Sequence, residues 1–105
     1  KKTILLGFSQ GGAMAIDVGC NLDIGMIVSC SGYPHPNWKP KRQYPPIIIS
    51  HGLMDEVVPI SASKIIYQSI KSVSKNFCEL NEFNGYHQID SNLIGYINLK
   101  IKELF

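Results

Sequence analysis

LLGFSQGGAMA, residues 5–15, joins an apolar run to a helix-forming run through a Gly-x-Ser-x-Gly turn. Its apolar residues predict a buried strand, and the residues from Gly11 onward predict a helix. In such a turn the serine takes a strained backbone conformation, and we expect Gly7 and Gly11 to let strand and helix approach without Cβ clashes. The pattern indicates a nucleophile elbow that raises Ser9 above the carboxyl end of a sheet.

The residue after this serine has a predicted role of its own. The backbone N–H of Gln10 would lie at the N-terminus of the helix, where the aligned peptide dipoles give a partial positive charge. We expect it to point to the place where the oxyanion of a tetrahedral intermediate forms. Because the Gly-x-Ser-x-Gly triplet also arises by chance, the turn alone indicates nucleophilic catalysis without establishing it.

Apolar, β-branched runs alternate with amphipathic segments along the whole chain, which is typical of parallel strands joined by helices. The sequence therefore predicts an α/β fold in one domain, with about four parallel strands and flanking helices. The half-polar fourth strand is predicted to lie at an edge of the sheet. The predicted strands are residues 3–6 (TILL), 24–30 (IGMIVSC), 46–50 (PIIIS) and 77–83 (FCELNEF), and the predicted helices are residues 11 to about 17, 61–73, and 90 or 91 to 104.

A serine hydroxyl needs a base to take its proton, and a neutral histidine base needs a carboxylate that fixes its tautomer. In folds with a nucleophile elbow these partners follow in the order Ser, Asp, His, each at the end of a strand. Asp55 follows the third predicted strand in SHGLMDEVVP, residues 50–59, and His87 follows the fourth in FNGYHQID, residues 83–90. Order, residue type and placement together predict a triad of Ser9, Asp55 and His87.

Several nearby residues have simpler interpretations. Asp55 could instead cap the turn before the next helix. His51 precedes Asp55 in the chain, so we interpret it as a hydrogen-bonded structural histidine and not as the base. His35, in a proline-rich loop, is predicted to be exposed, whereas Cys30 and Cys78 are predicted to be core residues.

Composition excludes several classes of function. The 105 residues are 45% hydrophobic and 17% charged with a net charge of +2, which gives no electrostatic reason to expect a nucleic-acid partner. Three cysteines without a CxxC pair favour a reducing compartment, and we expect neither a metal site nor a cofactor. No apolar run approaches the roughly 20 residues that span a bilayer. Because the chain begins with Lys1 and Lys2, we expect its natural start to be missing.

Four blocks of the sequence resemble successive blocks of the phospholipase/carboxylesterase group of α/β hydrolases, which includes the acyl-protein thioesterases. These blocks are GFSQGGAMA (7–15), SCSGYP (29–34), HGLMDEVVP (51–59) and GYHQI (85–89). The resemblance covers essentially the whole chain. It implies a cytoplasmic serine esterase that acts on carboxylic esters, lysophospholipids or acyl-thioesters, with Ser9 as nucleophile, His87 as base, Asp55 as orienting acid and Gln10 as oxyanion donor.

The substrate contacts are less strongly indicated. The resemblance implies that Tyr33 and Pro34 of the SGYP block belong to a loop that shapes the acyl site. Phe8, beside the elbow, is predicted either to pack in the core or to line an acyl pocket. Val58, in the loop of the acid, is the fourth candidate. The fold and the triad leave the acyl group open, so a peptidase or a lactonase is an alternative.

The chain departs from the family in one respect. Family members normally have about as many residues again before the elbow strand, including a loop that supplies a second oxyanion N–H, so residues 1–105 are predicted to form the C-terminal part of one α/β-hydrolase domain. The first strand would then have an unpaired apolar edge, and we expect it to pair with another copy or with a separate N-terminal piece. The isolated chain is expected to be feeble or inactive. The alternative function is therefore an impaired fragment or assembly module.

Overall fold

The computed structural model describes residues 3–41 and 44–104, which form a parallel sheet with helices on both faces. This architecture confirms the predicted α/β class with parallel strands and flanking helices. The elements in chain order are β1 (Ile4–Phe8), α1 (Gln10–Gly19), β2 (Met26–Cys30), β3 (Ile47–Gly52), α2 (Ile60–Val73), β4 (Cys78–Phe83) and α3 (Leu93–Leu104).

The strands follow one another across the sheet in the order β1-β2-β3-β4, and each neighbouring pair is parallel. Because parallel strands all run the same way, their carboxyl ends meet at one edge of the sheet. The chain segments that follow β1, β3 and β4 therefore all start at this edge. β4 is an outer strand, as predicted, and β1 is the other outer strand of the described sheet.

The inner strands β2 and β3 are buried along their whole length because helices cover both faces of the sheet. Their near-continuous Ile and Val side chains suit this environment, since burying each one stabilises the fold by about 1.5–3 kcal/mol. One face packs on α1 and α2 through Ile27, Ile47, Ile49, Ala15, Ile16, Ile66 and Ile70. The other packs on α3 through Met26, Val28, Ile48, Leu93 and Ile97.

The predicted elements are present, although their ends shift. β1 continues to Phe8 instead of ending at residue 6, because Gly7 and Phe8 pair with the end of β2. α3 begins at Leu93, later than predicted, because Asp90 forms a turn before the helix. Its side-chain oxygen accepts the N–H of Asn92 at 3.3 Å and its carbonyl accepts the N–H of Leu93 at 3.0 Å.

The minor predictions had mixed outcomes. Cys30 and Cys78 are buried, as predicted, and burial raises the pKa of each thiol to about 11. The prediction that His35 is exposed is wrong. Its ring packs edge-on against Tyr33, with centroids 6.2 Å apart, and its covered Nε2 has no hydrogen-bond partner among the described residues.

Candidate active site

Ser9 occupies the turn between β1 and α1, with φ 59° and ψ −116°. A positive φ costs a non-glycine residue roughly 1–3 kcal/mol, so the surrounding structure must hold it in place. The N–H of Ser9 donates to the carbonyl of Cys30 at 2.8 Å, and its own carbonyl accepts the N–H of Ala13 at 3.1 Å. These bonds fix the backbone of the elbow at the carboxyl end of the sheet.

Glycines permit this turn, although one of them does not act as expected. A Cβ on Gly7 would overlap the carbonyl of Gly11, so position 7 requires glycine. A Cβ on Gly11 would meet no atom within 4 Å, so the expectation is wrong for Gly11 within the described structure. Gly12 makes the close approach instead, because a Cβ there would lie 2.9 Å from Ser29 Oγ and 3.1 Å from Gly32 Cα.

His87 lies between Ser9 and Asp55. Its Nδ1 is 2.8 Å from Asp55 Oδ2, and its Nε2 is 3.0 Å from Ser9 Oγ. A carboxylate only accepts hydrogen bonds, so in the neutral ring Nδ1 carries the proton and Nε2 is free to accept the Ser9 hydroxyl. The structure therefore brings the three predicted residues together in one hydrogen-bonded line, in the order that serine nucleophiles require.

Both oxygens of the Asp55 carboxylate are used. Oδ1 accepts the backbone N–H groups of Val57 and Val58 at 2.9 and 2.8 Å, while Oδ2 faces His87. Burial by itself raises the pKa of Asp55, but the hydrogen bonds from Val58, His87 and Val57 outweigh it and leave the pKa below its ordinary value. Asp55 thus caps its turn and also orients His87, so the two interpretations of this residue are compatible.

The loops that carry the acid and the base are bonded to each other. The N–H of Leu53 donates to the carbonyl of Phe83 at 2.9 Å, and the N–H of Met54 donates to that of Gly85 at 2.9 Å. A Cβ on Gly52 would overlap the carbonyls of Gly85 and Tyr86, so glycine at position 52 permits this approach. The two loops therefore hold Asp55 and His87 as one unit.

His51 is hydrogen-bonded, as predicted. It is fully buried, with Nδ1 2.6 Å from Ser63 Oγ and Nε2 2.6 Å from the carbonyl of Val58. Its Nε2 also lies 3.5 Å from Asp55 Oδ2, a proximity that the sequence did not reveal.

The candidate oxyanion and substrate residues lie on three segments of the chain. Gln10 is the first residue of α1, where backbone N–H groups have no partner within the helix. The Phe8 ring packs on the His87 ring, with centroids 4.8 Å apart. Tyr33 and Pro34 are half-buried in the segment after β2. Their contact with an oxyanion or a substrate stays a prediction.

Val58 and Val57 are adjacent in the chain but differ strongly in exposure to solvent. The Val58 side chain is only 8% exposed, whereas that of Val57 is 68% exposed. The backbone of Val58 is bonded to Asp55 and His51. Substrate contact by Val58 stays a prediction, and Val57 is an additional candidate that sequence analysis missed. The hydrogen bonds of this irregular loop determine which of the two adjacent valines is exposed. The loop has no helix or strand periodicity from which that exposure could be predicted.

The described residues contain no group of three or more His, Cys, Asp or Glu side chains that could hold a metal ion. Across residues 3–41 and 44–104, no helix combines the length and apolarity that crossing a bilayer requires.

Solved structures with a similar fold include an esterase and an acyl-protein thioesterase. Esterase PE8 is 26% identical with a TM-score of 0.78, over 98% of this chain and 50% of that chain. SOBER1 of Arabidopsis thaliana is 25% identical with a TM-score of 0.75, over 95% and 51%. Acyl-protein thioesterase 2 of Zea mays, 16% identical with a TM-score of 0.76 over 93% and 54%, shows the fold alone.

The chain spans about half the length of these solved structures. A comparison with curated protein sequences gives no significant match. The model of the Phospholipase/Carboxylesterase family matches residues 1–104, which is nearly the whole chain. The fold, the parallel strand order and this match lead to one conclusion: the chain belongs to the phospholipase/carboxylesterase family of α/β hydrolases.

Proposed function

We propose that the chain is the catalytic part of a serine hydrolase that cleaves carboxylic esters or thioesters, with lysophospholipids and acyl-thioesters among the candidate substrates. The observation that carries this proposal is the line of contacts from Ser9 Oγ through the His87 ring to Asp55 Oδ2, with distances of 3.0 and 2.8 Å. Family membership supports the ester or thioester as the substrate class.

In the acylation step, Ser9 Oγ attacks the carbonyl carbon while His87 Nε2 takes the hydroxyl proton. Asp55 stabilises the imidazolium through the bond to Nδ1. The N–H of Gln10, at the positive end of α1, donates to the oxyanion. His87 then gives its proton to the departing alcohol or thiol, and the acyl group remains on Ser9.

In the deacylation step, the same residues act on water. His87 takes a proton from a water molecule that attacks the acyl-enzyme, and it returns that proton to Ser9 Oγ as the acid departs. We place Phe8, Tyr33, Pro34 and Val58 at the acyl group, with Val57 as the additional candidate. Phe8 has the most direct support, because its ring lies against that of His87.

The proposal also includes a partner for the first strand. We propose that residues 1–105 form one partial hydrolase domain whose first strand pairs with the preceding half of such a domain, or else with a second copy edge to edge. The half-length match to solved structures favours the preceding half. An open apolar groove of about 220 Å³ beside β1 supports such docking, and its lining includes Leu5, Gly11, Met14, Val18 and Leu22.

A second candidate function is an assembly module that keeps the triad but is impaired alone. The outer position of β1 favours it, since Leu6 on that strand is 39% exposed. Removing one oxyanion donor typically lowers kcat by about 10²- to 10³-fold, so a missing second donor would leave a feeble enzyme.

We also propose a cytoplasmic location. All of the cysteines, Cys20, Cys30 and Cys78, are free thiols, which suits a reducing compartment. Fractionation of cells that express the natural protein tests the location, and recovery from an oxidising compartment would contradict it.

A fluorophosphonate probe, which labels activated serines, separates the two functions. We expect the wild-type chain to be labelled, Ser9→Ala to be unlabelled and His87→Ala to be labelled much more slowly. Ser61→Ala, an exposed serine of α2, is the matched control and should label like the wild type. A folded wild-type chain that stays unlabelled would support the impaired module, and labelling that survives Ser9→Ala would contradict the proposed nucleophile.

A further inference from the structure

We propose that His51 is a positioning residue of this triad: its ring fixes the backbone of Val58 and thereby holds the Asp55 carboxylate against His87. The inference rests on the proposed function, because it assigns a part in the same reaction to a buried side chain that lies behind the acid.

Hydrogen-bond chemistry places a proton on Nε2 of His51. This nitrogen lies 2.6 Å from the carbonyl of Val58, which can only accept. On the other side of the ring, Nδ1 lies 2.6 Å from Ser63 Oγ, a hydroxyl that can donate or accept. The ring of His51 is therefore anchored to α2 through Ser63.

The backbone of Val58 connects His51 to Asp55 through hydrogen bonds. Its carbonyl accepts from His51, and its N–H donates to Asp55 Oδ1 at 2.8 Å. Both bonds belong to the backbone of one residue, so together they restrain the two peptide groups that meet at the Cα of Val58. His51 therefore reaches Asp55 through one residue.

A direct electrostatic contact adds to this effect. His51 Nε2 lies 3.5 Å from Asp55 Oδ2, the same oxygen that accepts from His87 Nδ1. The side chains of His51 and Asp55 are both fully buried, and electrostatic interactions are stronger there than in water. The N–H dipole of His51 thus favours the carboxylate orientation that faces His87. A residue that only filled the core would not need a polar ring in this place.

Two substitutions divide the contacts of His51. His51→Gln can place an amide N–H near the position of Nε2 and keep the bond to Val58, whereas His51→Asn reaches only toward Ser63. Ser63→Ala removes the anchor and leaves the rest of the ring's contacts in place. The readouts are the rate of fluorophosphonate labelling of Ser9, the downfield proton resonance of His87 Nδ1–H, and thermal unfolding as a control of folding.

We expect His51→Asn to label at least about tenfold more slowly than wild type, because small displacements of catalytic groups have large kinetic effects. Its His87 Nδ1–H resonance should move upfield or disappear in a chain that remains folded. His51→Gln should recover most of the rate. Ser63→Ala should show a smaller loss of the same kind.

Wild-type labelling and resonance in His51→Asn would overturn the proposal, and so would a His51→Gln variant that is folded but as impaired as His51→Asn. If His51→Asn does not fold, the His51→Gln and Ser63→Ala variants test the proposal. Slower labelling and a moved His87 resonance in Ser63→Ala, with near wild-type values in His51→Gln, support the proposal. Wild-type labelling and resonance in Ser63→Ala overturn it. If wild type is not labelled at all, the proposed function fails, and the His87 resonance still tests His51.

Discussion

Ser9 Oγ and His87 Nε2 lie 3.0 Å apart although the two residues are separated by 78 positions in the chain. The sheet produces this proximity, because β1 and β4 are parallel and their carboxyl ends meet at one edge. Asp55, after β3, completes the line from the strand next to β4. The order of strands therefore determines which residues can react together.

The first prediction concerns the acid. Asp55→Asn replaces the carboxylate with an amide that can hold His87 in the wrong tautomer, so we expect fluorophosphonate labelling of Ser9 to slow by about 10³- to 10⁴-fold. Glu56→Gln removes the charge of an exposed neighbouring residue and should label at the wild-type rate. Equal labelling of the two variants would contradict the role of Asp55.

The second prediction concerns stability at acid pH. The pKa of folded Asp55 lies below its ordinary value of 3.8, so the ionised carboxylate stabilises the fold above that value. This contribution is lost as the pH falls through the lowered pKa. The free energy of unfolding of wild type should therefore fall more steeply below pH about 4 than that of Asp55→Asn. Parallel curves from urea unfolding would show that the carboxylate does not contribute.

The third prediction compares two glycines of the elbow. Gly7→Ala forces a Cβ against the carbonyl of Gly11 and should destabilise the fold by about 3 kcal/mol, which is typical of overpacking. Gly11→Ala meets open space within a helix and should be neutral or stabilising by up to about 1 kcal/mol. Urea unfolding measures both values. Equal destabilisation would show that the described packing of the elbow is wrong.

The contacts among Ser9, His87 and Asp55 could be predicted, because strand order and residue type are both written in the chain. Features that depend on packing between distant residues could not be predicted in this way. Gly11 and Gly12 look equivalent in the sequence, yet only Gly12 faces the turn after β2. Similarly, the exposure of Val57 and the contact of His51 with Asp55 depend on how the loop after β3 folds back on the end of that strand.

The fourth prediction concerns Gly52, which lets the loop of the acid contact the loop of the base. A Cβ at Gly52 would push the carbonyls of Gly85 and Tyr86 away, so Gly52→Ala should displace His87 and slow labelling by about 10²-fold. Gly95→Ala, in α3, meets no atom within 4 Å and is the matched control. If both variants label at the wild-type rate, the contact between the loops does not position His87.

The fifth prediction concerns the outer strand β1. Supplying the preceding half of the hydrolase domain, on the same chain or separately, should raise p-nitrophenyl ester turnover by about 10²- to 10³-fold, the typical contribution of one oxyanion donor. Met14→Lys and Val18→Glu place charges in the apolar groove beside β1 and should weaken the effect of a separately supplied half. An isolated chain with the turnover of an intact esterase would contradict this prediction.

Ser9, His87 and Asp55 are proposed to act as one unit, and the labelling rates of single and double variants test this cooperation. Residues that act together have non-additive effects. We predict that the chain carrying both His87→Ala and Asp55→Asn is labelled at the rate of His87→Ala alone, because Asp55 acts only through His87. If the two substitutions instead multiply their effects on the labelling rate of Ser9, the acid and the base act independently and the proposed mechanism is wrong.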